Sequence, residues 1–248
     1  MFGGSGTITL NVKAEHYIYN DIVPYVRDIL QGVRNENIND IISFVKGLIN
    51  KYNLSKTNLQ GFNDLRNYYN SGFKDWKILY TLMCYSFDNQ YRFNNDHQYN
   101  SSFGKNRSEY TSTTEMKLKF AYNKLKDMDI VFMAKNFVDF DFSDFNENDF
   151  VYCDPPYLNS VKNYNDGKRG FEGWNKDYEL KLYGMLDSLN KQDCKFAISN
   201  NLNFNSLIGT WAKDNGYIIH NLANTYYNCC YNKKDKSKID SEVLITNY

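Results

Sequence analysis

The sequence predicts an α/β fold in which a sheet with packed helices is interrupted by a mostly helical insertion. Short β-type runs recur toward both ends: His16–Tyr19, Ile130–Met133, Phe150–Tyr152, Lys195–Ser199, Tyr217–Asn221 and Ser241–Thr246. Segments with apolar residues at helical spacing lie between them, and that alternation is what helices covering a sheet require. Residues 51–128 break the alternation and read as an insertion with its own task.

At the start, Phe2-Gly3-Gly4-Ser5-Gly6 is a glycine-dense turn that permits positive φ and close approach of backbone to a ligand. Thr7–Leu10 carries a mixed helix or strand signal, and His16–Tyr19 reads as a strand ending at Asn20-Asp21. Ile22, Val26, Ile29 and Leu30, then Ile38, Ile41, Ile42, Val45 and Leu48, mark two helices over 22–50. Further helices follow over 56–84. From Tyr85 to Tyr110 aromatic, amide and basic residues interleave with no helical face. A segment of that length without regular structure is functional or disordered, and its aromatic content argues for order. A helix resumes over 114–126 with Lys117, Lys119, Lys124 and Lys126 on its exposed face. After the strand at 150–152 come a polar loop over 159–173, a helix over 176–190 and another near 204–214.

Composition narrows the function classes. The 248 residues are 42% hydrophobic and 17% aromatic, enough for a sizeable core, and the formal net charge is zero. Neutrality neither requires nor excludes nucleic acid, because binding depends on local patches. The odd count of 5 cysteines (Cys84, Cys153, Cys194, Cys229, Cys230) and the absence of a spaced Cys-x-x-Cys argue against a disulfide framework. His16, His97 and His220 show no metal-ligand spacing, so no metal is expected. Neither a charged-then-apolar leader nor a membrane-length apolar run is read, and the expected compartment is the cytoplasm.

Two of the 3 prolines stand together in Val151-Tyr152-Cys153-Asp154-Pro155-Pro156-Tyr157. Proline cannot donate to a sheet ladder, so the strand stops and the backbone beyond it is stiff. One outcome is a rigid turn that merely closes a buried strand. The other is a ligand site, since the carboxyl ends of strands in open α/β sheets are where ligands bind. The glycine turn followed by the strand-end acid Asp21 suits a nucleoside-containing cofactor, with the acid accepting from ribose hydroxyls. An ordinary strand-to-helix turn fits the glycines equally well. No Gly-x-x-x-x-Gly-Lys-Ser/Thr is present, which disfavours a nucleoside triphosphate.

Taken together, Phe2-Gly3-Gly4-Ser5-Gly6, Asn20-Asp21-Ile22, Asn89-x-x-Arg92-Phe93-Asn94 with Phe103-Gly104-Lys105, and Asp154-Pro155-Pro156-Tyr157 resemble the Dam-type, D12-class DNA adenine-N6 methyltransferases of bacteria and bacteriophages. Ser199-Asn200-Asn201 and Asp240-Ser241-Glu242-Val243 match further landmarks, and the resemblance covers nearly the whole chain in family order. It implies a Rossmann-like S-adenosylmethionine-dependent sheet (1–50 and 129–248) with an inserted target-recognition domain (51–128). It also implies double-stranded DNA as partner, GATC as target and an adenine flipped out of the duplex.

By that resemblance, Asp154, Pro155, Pro156 and Tyr157 are the catalytic residues: the carboxylate and the Pro155 carbonyl accept the adenine amino hydrogens, and Tyr157 stacks on the base. Phe2, Gly3, Gly4, Ser5, Gly6, Asp21, Ile22, Phe137 and Asp154 border the cofactor. Arg92 has the donors to read a guanine, Asn89 or Asn94 orients it or touches bases, and Lys105 and Arg107 suit phosphates; Phe103 belongs to the same DNA-reading segment. A solvated surface is the competing account of each basic residue, and a plain core phenylalanine that of Phe137. Tyr164, Lys168, Arg169 and Phe171 lie in a loop that either closes over the base or is simply a loop. Cys153 is expected to be a strand residue rather than a nucleophile.

Two departures qualify the resemblance. Family members carry a further strand and a lysine-bearing segment ahead of the glycine turn, whereas this sequence starts on that turn, so the cofactor pocket around Phe2 is expected to be incomplete. Ser102 stands where the family has proline, which leaves the base contact open. A catalytically impaired DNA-binding relative is the alternative reading.

Overall fold

The computed structural model describes residues 1–94, 96–158, 174–222 and 241–248. Residues 159–173, where a loop is expected from the sequence, and Cys229, Cys230 and Asp240 lie outside these residues. The chain forms two compact units: a helical unit, Gly3–Ala134, and a sheet unit made of Met1–Phe2 with the described residues from Lys135 onward.

In the helical unit the order is α1 (Thr7–Asn11), β1 (His16–Asn20), α2 (Pro24–Asn35), α3 (Ile38–Lys51), α4 (Leu59–Asn70), α5 (Trp76–Tyr85), α6 (Ser112–Asp127) and β2 (Asp129–Met133). The mixed signal at Thr7–Leu10 resolves as helix. Most helices start on a side chain that satisfies an orphan amide: Asn37 accepts from the Asn39 amide, Asn58 from Gly61, Asp75 from Lys77 and Thr111 from Thr114. Pro24 opens α2 at a position where its missing N–H is not needed. β1 and β2 pair in parallel with Tyr19 opposite Phe132.

The core of this unit takes Tyr19 from β1, Ile29 and Val33 from α2, Ile41 and Val45 from α3, Phe62 and Leu65 from α4, Leu79 and Leu82 from α5, Leu118 and Leu125 from α6, and Ile130 from β2. Each such burial contributes about 1.5–3 kcal/mol relative to exposure. Packing therefore sets no boundary at residue 51 or 128. Lys117, Lys119, Lys124 and Lys126 are all exposed on α6. The segment at 85–110 is ordered by buried Phe93 and Tyr99 and by the isolated bridges Ser86–Phe103 and Phe93–Tyr99.

In the sheet unit the order is β3 (Phe150–Cys153), α7 (Lys176–Lys191), β4 (Lys195–Asn201), α8 (Ser206–Asp214), β5 (Ile218–Asn221) and β6 (Glu242–Thr246). The strand order is β3-β4-β6-β5: β3 runs parallel to β4, and β6 is antiparallel to both neighbours. The described strands thus form two sheets, where the sequence led us to expect one. The alternation of strand and helix was correctly legible; the pairing partners were not, because they depend on long-range register. Among the described residues no helix is long and apolar enough to cross a membrane.

Candidate active site

β3 delivers Asp154 to the end of its sheet. Its parallel register sets Cys153 opposite Ile198, so the next residues, Asp154 and Ser199, fall side by side. The Ser199 hydroxyl donates to Asp154 Oδ1 at 2.7 Å, and the Tyr152 hydroxyl donates to Ser199 Oγ at 3.3 Å. Asp154 is exposed as a residue, yet protein atoms crowd its carboxyl. That desolvation raises its pKa above the ordinary value, and the Ser199 hydrogen bond opposes the rise. Pro155 is buried, while Pro156 and Tyr157 are half-buried. Cys153 is fully buried in β3, and desolvation pushes its thiol up to about 11, so it is no nucleophile.

The same unit gathers four aromatic rings. Phe2 lies 5.4 Å from Phe137 and meets Trp174 edge-on at 5.4 Å. Phe137 is 5.5 Å from Trp174 and 6.0 Å from Tyr178, and Trp174 stacks on Tyr178 at 6.0 Å. Phe137 sits in a short 3-10 turn capped by Asn136, whose side chain accepts from the Val138 amide. Phe2 holds φ 55°, an unfavourable conformation for a residue with a Cβ.

Behind the rings is a carboxylate that sequence reasoning missed. Glu179 is 0% exposed and accepts hydrogen bonds from Trp174 Nε1, from the Tyr183 hydroxyl at 2.8 Å, from Asn200 Nδ2 at 3.4 Å and from Asn205 Nδ2. Burial raises its pKa, and the four donors pull it back. A signal was present in the sequence: Glu179 falls on the buried stripe of Leu182, Leu186 and Leu189, where an apolar residue belongs.

In the helical unit, the glycine turn lies against the end of β1. The Gly3 amide donates to the Asn20 carbonyl at 2.8 Å and the Tyr19 hydroxyl to the Gly4 carbonyl at 2.7 Å. A Cβ on Gly3 would stand 2.3 Å from the Tyr19 ring, and one on Gly6 2.9 Å from Leu30. These two glycines are needed for packing. Gly4 differs: it takes φ +47° and has nothing within 4 Å of where a Cβ would be, so its backbone is open to an approaching ligand. Asp21 Oδ2 accepts from the Gly4 amide at 2.8 Å and Oδ1 from the Val23 amide at 2.8 Å. An open glycine backbone beside a strand-end carboxylate fits the nucleoside part of S-adenosylmethionine. Ser5 is exposed, its hydroxyl 2.8 Å from that of Thr7, and Ile22 follows Asp21 half-buried in the bend before α2.

The expected DNA-reading residues all lie in the 86–108 segment of this unit. Asn89, Lys105 and Arg107 are exposed, and Arg92 is half-buried. The Arg92 amide donates to Ser101 Oγ and its carbonyl accepts from the Asn100 amide, each at 2.9 Å. Arg107 packs over Phe87 at 4.7 Å with Asp88 at 3.4 Å. Asn94 and Phe103 make contacts within the unit. The Asn94 side-chain oxygen accepts from the Asp96 and Gln98 amides, and the Phe103 ring packs on Phe62 at 5.3 Å. A cavity of about 510 Å³ bordered by Leu10, Tyr17, Phe120 and Lys124 contains none of the expected site residues.

Comparison with known proteins now decides the family. The model of the D12 class N6 adenine-specific DNA methyltransferases matches residues 1–228. The chain belongs to this family. It is 40% identical to the Type II methyltransferase M.FokI of Planomicrobium okeanokoites and 36% identical to the modification methylase StsI of Streptococcus sanguinis, over 100% of its length in each case. It is 30% identical to the modification methylase LlaI of Lactococcus lactis subsp. lactis over 99% of its length. The chain spans 38% of the length of these relatives. As in the D12 class generally, the family's methyl donor is S-adenosylmethionine. Among the described residues no group of three or more His, Cys, Asp and Glu side chains could hold a metal ion.

Proposed function

We propose that this chain is a catalytic module that methylates adenine N6 at a specific site in duplex DNA. The observation that carries the reading is the strand-end carboxylate of Asp154, oriented by Ser199 and followed by the stiff Pro155-Pro156-Tyr157 in a chain of the D12 class.

Adenine N6 is a poor nucleophile because its lone pair is delocalised into the ring. Asp154 accepts one amino hydrogen and the Pro155 carbonyl the other, which favours a tetrahedral nitrogen with its lone pair aimed outward. Pro156 keeps that pair of acceptors fixed, and the Tyr157 ring receives the flipped base. Bound S-adenosylmethionine would supply an electrophilic methyl group on a sulfonium, with S-adenosylhomocysteine as the leaving thioether. The raised pKa of Asp154 suits it to take up the proton that N6 then sheds. The family resemblance assigns Gly3, Gly4, Ser5, Gly6, Asp21 and Ile22 of the helical unit, and Phe2 and Phe137 of the sheet unit, to the cofactor; within the helical unit the open Gly4 backbone, held by the Asp21 carboxylate, supports that reading.

Residues 51–128 serve target recognition. Arg92 and Asn89 address base edges, Lys105 and Arg107 address phosphates, and Asn94 and Phe103 hold the segment in shape. GATC is the target the family resemblance suggests. The names of the relatives place them in modification, so protection of DNA from a partner endonuclease is the role we assign.

Mapping N6-methyladenine in DNA exposed to the purified chain and S-adenosylmethionine tests the proposal. One short methylated motif is expected. DNA binding without methylation indicates the impaired relative, and a motif other than GATC corrects the target alone.

A further inference from the structure

We propose that Glu179 is a positioning residue that holds two walls of the methyl-transfer site at once: the end of β4 through Asn200, and the aromatic cluster through Trp174. The inference rests on the methyl-transfer reading above and adds to it a residue outside the motif.

Glu179 occupies a leucine position on the buried face of α7. An acid there is unfavourable unless donors satisfy it, so its presence needs a reason that leucine could not meet. An ionised carboxylate only accepts, and here four neutral donors converge on it from separate places in the chain. Trp174 precedes α7, Tyr183 is on α7, Asn200 ends β4, and Asn205 caps α8 through its other amide atom.

Two of these links lead to the site. Asn200 gives Nδ2 to Glu179 and uses Oδ1 to accept from the Asn201 amide at 2.8 Å, which fixes the backbone next to Ser199, and Ser199 orients Asp154. Trp174 gives its indole N–H to Glu179 and sets its ring against Phe2 and Phe137. The first link bears on the reacting carboxylate, the second on the cofactor wall. Cutting them separately should therefore separate turnover from cofactor binding.

The test compares Glu179→Gln, Trp174→Phe and Asn200→Ala with the wild-type chain. Thermal melts confirm folding, calorimetry measures S-adenosylhomocysteine binding, and kcat is read on duplex DNA. Trp174→Phe is expected to weaken binding roughly tenfold with kcat within about twofold, and Asn200→Ala the reverse. Glu179→Gln does both and moves the Trp174 indole N–H resonance upfield in 15N-tryptophan-labelled protein. Folded variants that bind and turn over like wild type, single-link variants with identical effects, an unmoved resonance, or loss of fold in all three variants would overturn the proposal. A wild-type chain that binds S-adenosylhomocysteine but transfers no methyl defeats the catalytic reading only, and binding still judges the Trp174 link. One that binds none defeats both.

Discussion

Ser199 donates its hydroxyl to Asp154 Oδ1 at 2.7 Å, across the parallel register that joins β4 to β3. A hydrogen bond to a charged acceptor contributes about 1.5–3 kcal/mol, and this one favours the ionised carboxylate.

Ser199→Ala therefore lowers kcat at neutral pH by about tenfold or more. The hydroxyl opposes the desolvation that raises the Asp154 pKa, so its loss raises that pKa further. The acid limb of the pH–kcat profile moves to higher pH, and activity partly returns as pH is raised. A profile of unchanged shape would disconnect the pair from the chemistry.

The glycine turn separates a packing role from a binding role. Gly3→Ala drives a Cβ to 2.3 Å from the Tyr19 ring and should destabilise the protein by about 1–3 kcal/mol. Gly4→Ala meets no neighbour, so its stability loss is confined to the positive φ, about 1–2 kcal/mol, while S-adenosylhomocysteine binding weakens disproportionately. Denaturant melts and calorimetry on both variants distinguish the two roles.

Glu179 has a raised pKa, so between its unfolded value of 4.5 and its higher folded value the native state binds more protons. That part of stability is present at low pH and is lost as pH rises through this window. Replacement by Gln removes the titration. The Tm of Glu179→Gln relative to wild type should accordingly climb with pH above about 4.5 and then level off. A constant difference would contradict the assignment.

Lys105→Ala should weaken DNA binding about equally for all sequences and reduce the salt slope by about 1, as loss of a phosphate contact does. Arg92→Ala should instead erode discrimination at one base pair by about 1–3 kcal/mol. Filter binding over a salt series, with cognate and scrambled duplexes, checks both.

Much of this was legible in the sequence because it is local. The proline pair fixes where β3 stops, and the 3.6-residue spacing of α3 survives in its buried Ile41, Ile42, Val45 and Leu48. Asp154 and Asp21 stand out by motif, and Phe137 only by the family resemblance. The Glu179 cluster did not, since its donors lie as far as 26 residues away and meet only through folding. Asn94 is different: the amides it accepts from are only two and four residues away, but nothing in the sequence tells an amide that closes a turn from one that reads a base.

The central claim is that Asp154 acts on an adenine amino group. The most direct measurement is transfer of labelled methyl from S-adenosylmethionine to duplex DNA by the wild-type chain and by Asp154→Ala, with the product base identified. The account predicts N6-methyladenine from wild type, and no detectable transfer from a folded Asp154→Ala that still binds DNA. Near wild-type turnover by Asp154→Ala, or label on any other base, would contradict it.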